Sequence, residues 1–235
     1  MNVKLIGYTQ PVEDIEGLDD VQDLIAYCAR VSNPSNQLNQ ETAPRLLNYL
    51  AHHKHWSPFE MASATLEIET TRDIARQMLR HRSFSFQEFS QRYAEPHDLD
   101  SFKENSFVIR EARYQDDKNR QNSVEMDVNN DQDRSLMWQW ERQQEIVITA
   151  AKSAYEWAID HGIAKEQARV VLPEGNTRSR LYMQGTIRSW IHFIDLRSGN
   201  GTQKEHMEVA REVASAIAKI YPQVTRYVQP NKKIL

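Results

Sequence analysis

Glycine is scarce in this 235-residue chain: seven residues, where average usage of roughly 7% would give about sixteen. The scarcity excludes two common nucleotide loops. A dinucleotide fingerprint needs G-x-G-x-x-G and a P-loop needs G-x-x-x-x-G-K-[ST]. Only Gly199 and Gly201 stand in a G-x-G relation, and no third glycine follows them. Cysteine is scarcer still. Cys28 is the only one, so neither an internal disulfide nor a cysteine-based zinc site can form, and a reducing compartment is natural. Long apolar runs are missing as well. The longest, Ile146 to Ala151, falls far short of a membrane span. Glu13, Asp14 and Glu16 follow the first strand-like run closely, which does not resemble a signal peptide. A cytoplasmic protein without a membrane partner is expected.

What is present is charge, unevenly placed. The chain has 19 Arg but only 10 Lys, and the planar guanidinium fork matches phosphate and carboxylate geometry where lysine is a point charge. Between Arg72 and Arg92, five Arg face only Asp73 and Glu88, a local +3. Between Arg169 and Arg197, five Arg face only Glu174 and Asp195, again +3. The rest of a chain whose total is −4 therefore carries −10. Two basic islands in an acidic protein point to a small anionic ligand. A nucleic-acid groove usually lies in a strongly basic domain, so no nucleic-acid partner is expected.

Periodicity predicts a helix-rich α+β fold in one domain over residues 1–235, with a small antiparallel sheet. Val3–Thr9 reads as a strand. Ala62–Thr70 alternates, with Ala62, Ala64, Leu66 and Ile68 on the apolar face. Helical spacing predicts Asp19–Val31, Thr42–His53, Thr71–His81, Leu136–Ile159, Gln184–Leu196 and Thr202–Tyr221. The long Leu136–Ile159 helix carries small residues that permit close approach to another helix. The polar 98–133 stretch reads as a variable loop or lid, with Ser106–Tyr114 as a candidate strand within it. Cys28 falls on an apolar helix face with Leu24 and Ile25, in the pattern of a core residue.

The densest chemistry runs from Arg80 to Tyr93, where Phe84, Phe86 and Phe89 alternate with polar groups. Spacing alone leaves two readings open, a pocket wall and an exposed helix end anchored by core phenylalanines. In the second island, Ile187, Ile191 and Ile194 form an apolar stripe, while Gln184, Arg188, His192 and Asp195 form a polar one. That pattern fits a helix lining a cavity better than a surface helix stapled by an Arg188–Asp195 contact, because Trp190 and Phe193 make the other faces apolar too. His52, His53, His55 and Glu60 lack a clean i, i+4 His pair, so no metal is expected.

Arg80-His81-Arg82, followed after seven residues by Ser90, resembles the signature of the flavin-dependent thymidylate synthases. The likeness continues in order through Ala29-Arg30-Val31-Ser32, His55-x-Ser57-Pro58-Phe59-Glu60, Ala168-Arg169-x-Val171-Leu172-Pro173, Arg188-x4-Phe193-x3-Arg197 and Gln203-x-Glu205. The resemblance implies reductive methylation of dUMP to dTMP. The carbon would come from 5,10-methylenetetrahydrofolate and the reducing equivalents from NADPH through bound FAD, without a covalent cysteine adduct. It further implies FAD contacts from Ser32, Ser57, Arg80, His81, Arg82, Glu88, Arg188 and His192. For dUMP it implies Gln77, Arg80, Glu88, Ser90, Gln91, Arg92, Arg169 and Arg197. Arg197 and His55 would be the catalytic candidates, Arg197 stabilising an anionic pyrimidine and His55 organising the folate and flavin face or relaying protons. His192 stands where some members carry Asn, and Gln87 where many do. Members of the family are homotetramers with shared active sites. FAD held by arginine side chains, without a Rossmann fold, would account for the missing glycines. A nucleotide-binding regulator with the same arginines but no turnover is the competing class, and an activity assay separates the two.

Overall fold

The computed structural model describes residues 2–13, 15, 17–98, 105–199 and 201–230. In chain order they form β1 (Asn2–Tyr8), α1 (Val21–Ala29), α2 (Ala43–His52), β2 (Ser63–Thr71), α3 (Arg72–Met78), β3 (Ser85–Glu88), β4 (Arg113–Gln115), β5 (Ser123–Glu125), α4 (Asp131–Asp160), α5 (Lys165–Ala168), β6 (Arg178–Thr186), α6 (Ile187–Arg197) and α7 (Lys204–Ile217).

The alternation in β2 becomes burial: Ala64, Leu66 and Ile68 are at most 1% exposed. β2 is the template of an antiparallel sheet of order β1-β2-β6-β3. Leu66 lies opposite Leu5 on one side and Met183 on the other, and Phe86 pairs with Met183 across β3. The apolar stripe predicted for α6 is buried over this sheet, as are Val209, Val213 and Ile217 of α7 and Ile25 and Leu47 of the first two helices. Fully burying one such side chain contributes about 1.5–3 kcal/mol. Trp190 is fully buried and its indole N–H donates to the Ala64 carbonyl at 3.1 Å, so its one polar atom is satisfied.

Helix starts follow local chemistry. Asp20 accepts from the Gln22 and Asp23 amides at 2.7 and 2.9 Å and opens α1, and Asn130 caps α4 in the same way. The predicted Gln184–Leu196 helix is corrected at its start. Gln184, Gly185 and Thr186 complete β6, because β2 supplies partners for all three and β3 a second one for Gln184. Thr186 then caps α6 by accepting from the Ser189 amide at 3.2 Å. The expected Ser106–Tyr114 strand reduces to an isolated Phe107–Thr177 bridge and the short β4, which pairs with β5. Of the 98–133 stretch, residues 99–104 lie outside the described residues. α4 extends from Asp131 to Asp160, longer than predicted. It buries Ala151, Tyr155 and Ala158 but leaves Leu136, Trp140 and Val147 exposed. Cys28 is half-buried on α1, and burial pushes its thiol pKa up.

One glycine connects the core to the first arginine island. A Cβ on Gly185 would lie 2.4 Å from Cδ1 of Phe84, and Phe84 is wedged against Trp190, Phe193 and Phe86 at ring distances of 4.7, 6.1 and 6.2 Å. Gly185→Ala must displace that ring. The expected cost is about 1–3 kcal/mol, a Tm decrease of roughly 2–12 °C for a chain this size, readable by calorimetry.

Candidate active site

The two arginine islands meet in one chain. α6 ends at Arg197, and the turn after α3 presents His81; the Arg197 Nε–H donates to His81 Nε2 at 3.0 Å. His81 Nε2 is therefore the bare nitrogen of a neutral ring. Burial, and then the Arg197 charge, lower the His81 pKa to about 4. Arg197 is itself pushed down, by burial and by the neighbouring Arg80 charge. Arg80 and Arg82 are exposed and have no carboxylate partner among the described residues. Asp195, the acid closest in sequence to Arg197, accepts instead from Gln229 Nε2. The result is a patch of guanidinium charge that the described residues do not neutralise.

Beside it, β3 holds Glu88, whose Oε1 accepts from the Ser179 hydroxyl at 2.8 Å and lies 3.5 Å from Arg72 Nη1. Just beyond, Gln91 is 3% exposed and its Nε2 has no hydrogen-bond partner among the described residues. Buried polar groups normally find partners, so the Gln91 amide suits a ligand. Ser90 is half-buried. Arg92 and Arg169 converge on Glu166: Arg92 lies 3.8 Å from its carboxylate, and Arg169 Nε donates to its carbonyl at 3.3 Å.

Gln77 on α3 sits in a polar chain that sequence reasoning missed. Its Nε2 donates to Gln203 Oε1 at 2.7 Å, and its Oε1 is 3.2 Å from His206 Nδ1. Gln203 Nε2 donates to Glu205 at 2.9 Å. Glu205 in turn binds Arg113 at 2.6 Å and Arg110 at 3.1 Å. Gln203 and Glu205 stood among the ordered motifs, but nothing local marked them, His206, Arg72 or Ser179 as partners of the site.

The remaining predicted residues form a second group. Trp56 packs edge-on against His192 at 4.8 Å, and Arg188 donates to Glu60 at 2.6 Å. Arg188 thus reaches the His55–Glu60 segment and not Asp195. His192 is lowered by burial and by Arg188, with Asp195 opposing. His55 and Ser57 are exposed on this segment. Ser32 is exposed after α1 and forms no hydrogen bond to described residues. Two cavities of about 810 and 820 Å³ lie along α4, and none of the predicted side chains lines either. Arg80, Arg82, Arg92, His55, Ser57 and Ser32 are exposed, whereas Gln91 is buried and His81, Glu88, Ser90 and Arg197 are half-buried.

Buried His206 and half-buried His81 give a pH signature. His206 is lowered to about 3, by burial first and then by Arg197 and His81. A histidine whose folded pKa lies below its unfolded value binds fewer protons folded than unfolded, so stability is present above the unfolded pKa and falls with acid. Chemical denaturation should therefore show stability decreasing from about pH 6.5 toward about pH 4. A smaller slope is expected in His206→Gln; an identical slope would contradict a neutral His206.

The family model described as thymidylate synthase complementing protein matches residues 14–223. A probable flavin-dependent thymidylate synthase of Paramecium bursaria Chlorella virus 1 is 47% identical over 96% of this chain and 98% of its own length. The flavin-dependent thymidylate synthase of Synechocystis is 45% identical over 95% and 97%. Among solved structures, the UMP/dUMP methylase PolB from Streptomyces cacaoi, bound with 5-Br dUMP, superposes with a TM-score of 0.75. It is 26% identical and covers 96% of this chain and 93% of its own. With the arginine motifs in their order and the islands joined at His81 and Arg197, the chain belongs to the flavin-dependent thymidylate synthase family.

Proposed function

We propose that this chain converts dUMP to dTMP, with 5,10-methylenetetrahydrofolate as carbon donor and NADPH as reductant through FAD. The observation that carries the reading is Arg197, half-buried and held by a neutral histidine rather than by a carboxylate. Its charge stays available to the substrate. Loss of the N3 proton makes C5 of uracil nucleophilic, and a fixed guanidinium beside the ring stabilises the resulting anion without reorganising. Arginine suits the task because it does not give up its own proton in proteins.

The residues fit FAD. Arg80 and Arg82 lack carboxylate partners among the described residues and can meet a diphosphate with forked donors. Arg188, Ser32, Ser57, His81, Glu88 and His192 complete the set that would hold the cofactor. When bound, FAD supplies the redox chemistry, which the protein orients and tunes. Arg92, Ser90, Gln91 and Arg169 would bind the dUMP phosphate end. Gln77, Arg80, Glu88 and Arg197 would surround the rest of the nucleotide, with His55 on the folate and flavin face. Cys28 is a poor nucleophile here, since burial raises its pKa and reactivity belongs to the thiolate; this supports a route without a cysteine adduct.

The exposure of Arg80, Arg82, His55, Ser57 and Ser32 supports a homotetramer in which neighbouring subunits complete each site. Exposed Trp138, Trp140 and Val147 on α4 offer apolar area for such contacts. One domain over 1–235, no metal, no nucleic-acid or membrane partner and a cytoplasmic location complete the proposal. No described helix is long and apolar enough to cross a membrane.

The test is dTMP formation from dUMP with FAD, NADPH and methylenetetrahydrofolate, each omitted in turn. Turnover that needs all of them is expected. Binding of dUMP without turnover would replace the enzyme by a nucleotide-binding regulator.

A further inference from the structure

The polar chain leading to His206 has a direction. An ionised carboxylate only accepts, so Gln203 must turn its NH₂ toward Glu205 (2.9 Å) and its oxygen toward Gln77. Gln77 then donates to Gln203 (2.7 Å) and offers its own oxygen to His206. The partner at 3.2 Å is therefore a protonated Nδ1 of His206. Both amide orientations and the imidazole tautomer follow from the charge at one end. Nε2 of His206 is left bare, fully buried and without a hydrogen-bond partner among the described residues. A buried acceptor left unsatisfied is costly and calls for an explanation.

The groups facing His206 supply one. Its ring stands perpendicular to that of His81 at 6.4 Å and lies 5.7 Å from Phe193. The charged neighbour is Arg197, whose field helps keep the ring neutral. Arg197 gives its Nε–H to His81, and its two NH₂ groups have no hydrogen bond to described residues. Half-buried Arg197, with donors to spare, and the bare buried acceptor of His206 thus flank the same His81 ring. Glu205 cannot quench Arg197, being paired with Arg110 and Arg113.

We propose that His206 is a positioning residue for Arg197: together with His81 it offers neutral acceptors that fix the guanidinium against the pyrimidine without cancelling its charge. A carboxylate in either place would hold the arginine equally well and spend its charge. This inference rests on the reading that Arg197 stabilises an anionic pyrimidine.

The readout is nucleotide acidity. 5-Fluoro-dUMP loses its N3 proton more easily than dUMP, so the ratio of its affinity to that of dUMP reports stabilisation of the ring anion. Calorimetry on FAD-loaded protein compares wild type, Arg197→Ala, His206→Leu and His206→Gln. The ratio should fall about tenfold in His206→Leu, the scale of one hydrogen bond to a charged group. It should recover in His206→Gln, which restores an acceptor, and collapse in Arg197→Ala. Gln203→Leu, which cuts the relay upstream, should lower the ratio as well and serves if His206→Leu does not fold. A wild-type ratio in His206→Leu or Gln203→Leu, with collapse in Arg197→Ala, overturns the role of His206 alone. A wild-type ratio in Arg197→Ala overturns the reading of Arg197 itself.

Discussion

Arg197→Ala is expected to lower kcat/KM for dTMP formation by about a hundred- to a thousand-fold, the scale seen when one preorganised donor to a developing anion is removed. FAD content and Tm should change little, because Arg197 is half-buried and its hydrogen bond among the described residues is to a neutral partner, His81. Loss of kcat should exceed any rise in KM for dUMP, since the phosphate end would be held by Arg92, Ser90 and Arg169. Arg197→Lys keeps a charge but loses the planar fork and the Nε donor to His81, so only part of the activity should return. Steady-state kinetics on the two variants, with flavin quantified by absorbance, checks each statement. Wild-type turnover in Arg197→Ala would remove Arg197 from the chemistry.

Glu205→Gln is expected to carry the largest stability cost of any single polar substitution proposed for this chain. Glu205 is 9% exposed and binds both Arg110 and Arg113. Removing one partner of a buried ion pair costs roughly 3–5 kcal/mol, because the remaining charge is left uncompensated. Here Arg110 keeps Asp73 at 2.8 Å and Arg113 keeps Glu111 at 2.7 Å, which places the cost near the lower end, at about 3 kcal/mol. The pH dependence has a definite sign. Burial raises the Glu205 pKa, but its own backbone N–H, Arg110, Arg113 and Gln203 outweigh it, and the net shift is downward from 4.5. A carboxylate depressed in the folded state contributes stability above its unfolded pKa and loses it as pH falls through the folded value. The gap between wild type and Glu205→Gln should therefore be full at neutral pH and narrow below about pH 4.5. Denaturant titrations of both proteins at several pH values measure it.

Some of this architecture was legible before any coordinates. β2 was, because one of its faces is buried and the other is polar, which leaves a clean period of two. α1, α2 and α7 were, because each buries a single stripe. β6 was not: it lies between β2 and β3 and carries Arg178, Arg180 and Gln184, so charged and polar residues broke the apolar signal that marks a central strand. β3 was hidden by its brevity, four residues between a helix end and a turn. For the site, motif order identified the arginines. The pairing of His81 with Arg197 and of Gln77 with His206 spans more than a hundred residues, and no local period encodes such contacts. The exposed Leu136, Trp140 and Val147 show the converse, since apolar periodicity in α4 marked an outer face as well as a buried one.

The visible absorption spectrum of the purified protein, before and after reconstitution with FAD, tests most directly whether arginine side chains replace glycine-rich backbone in holding this cofactor. Flavin bands that persist through gel filtration and weaken in an Arg80→Ala, Arg82→Ala double variant are the expected result. A colourless protein that takes up no FAD would contradict it.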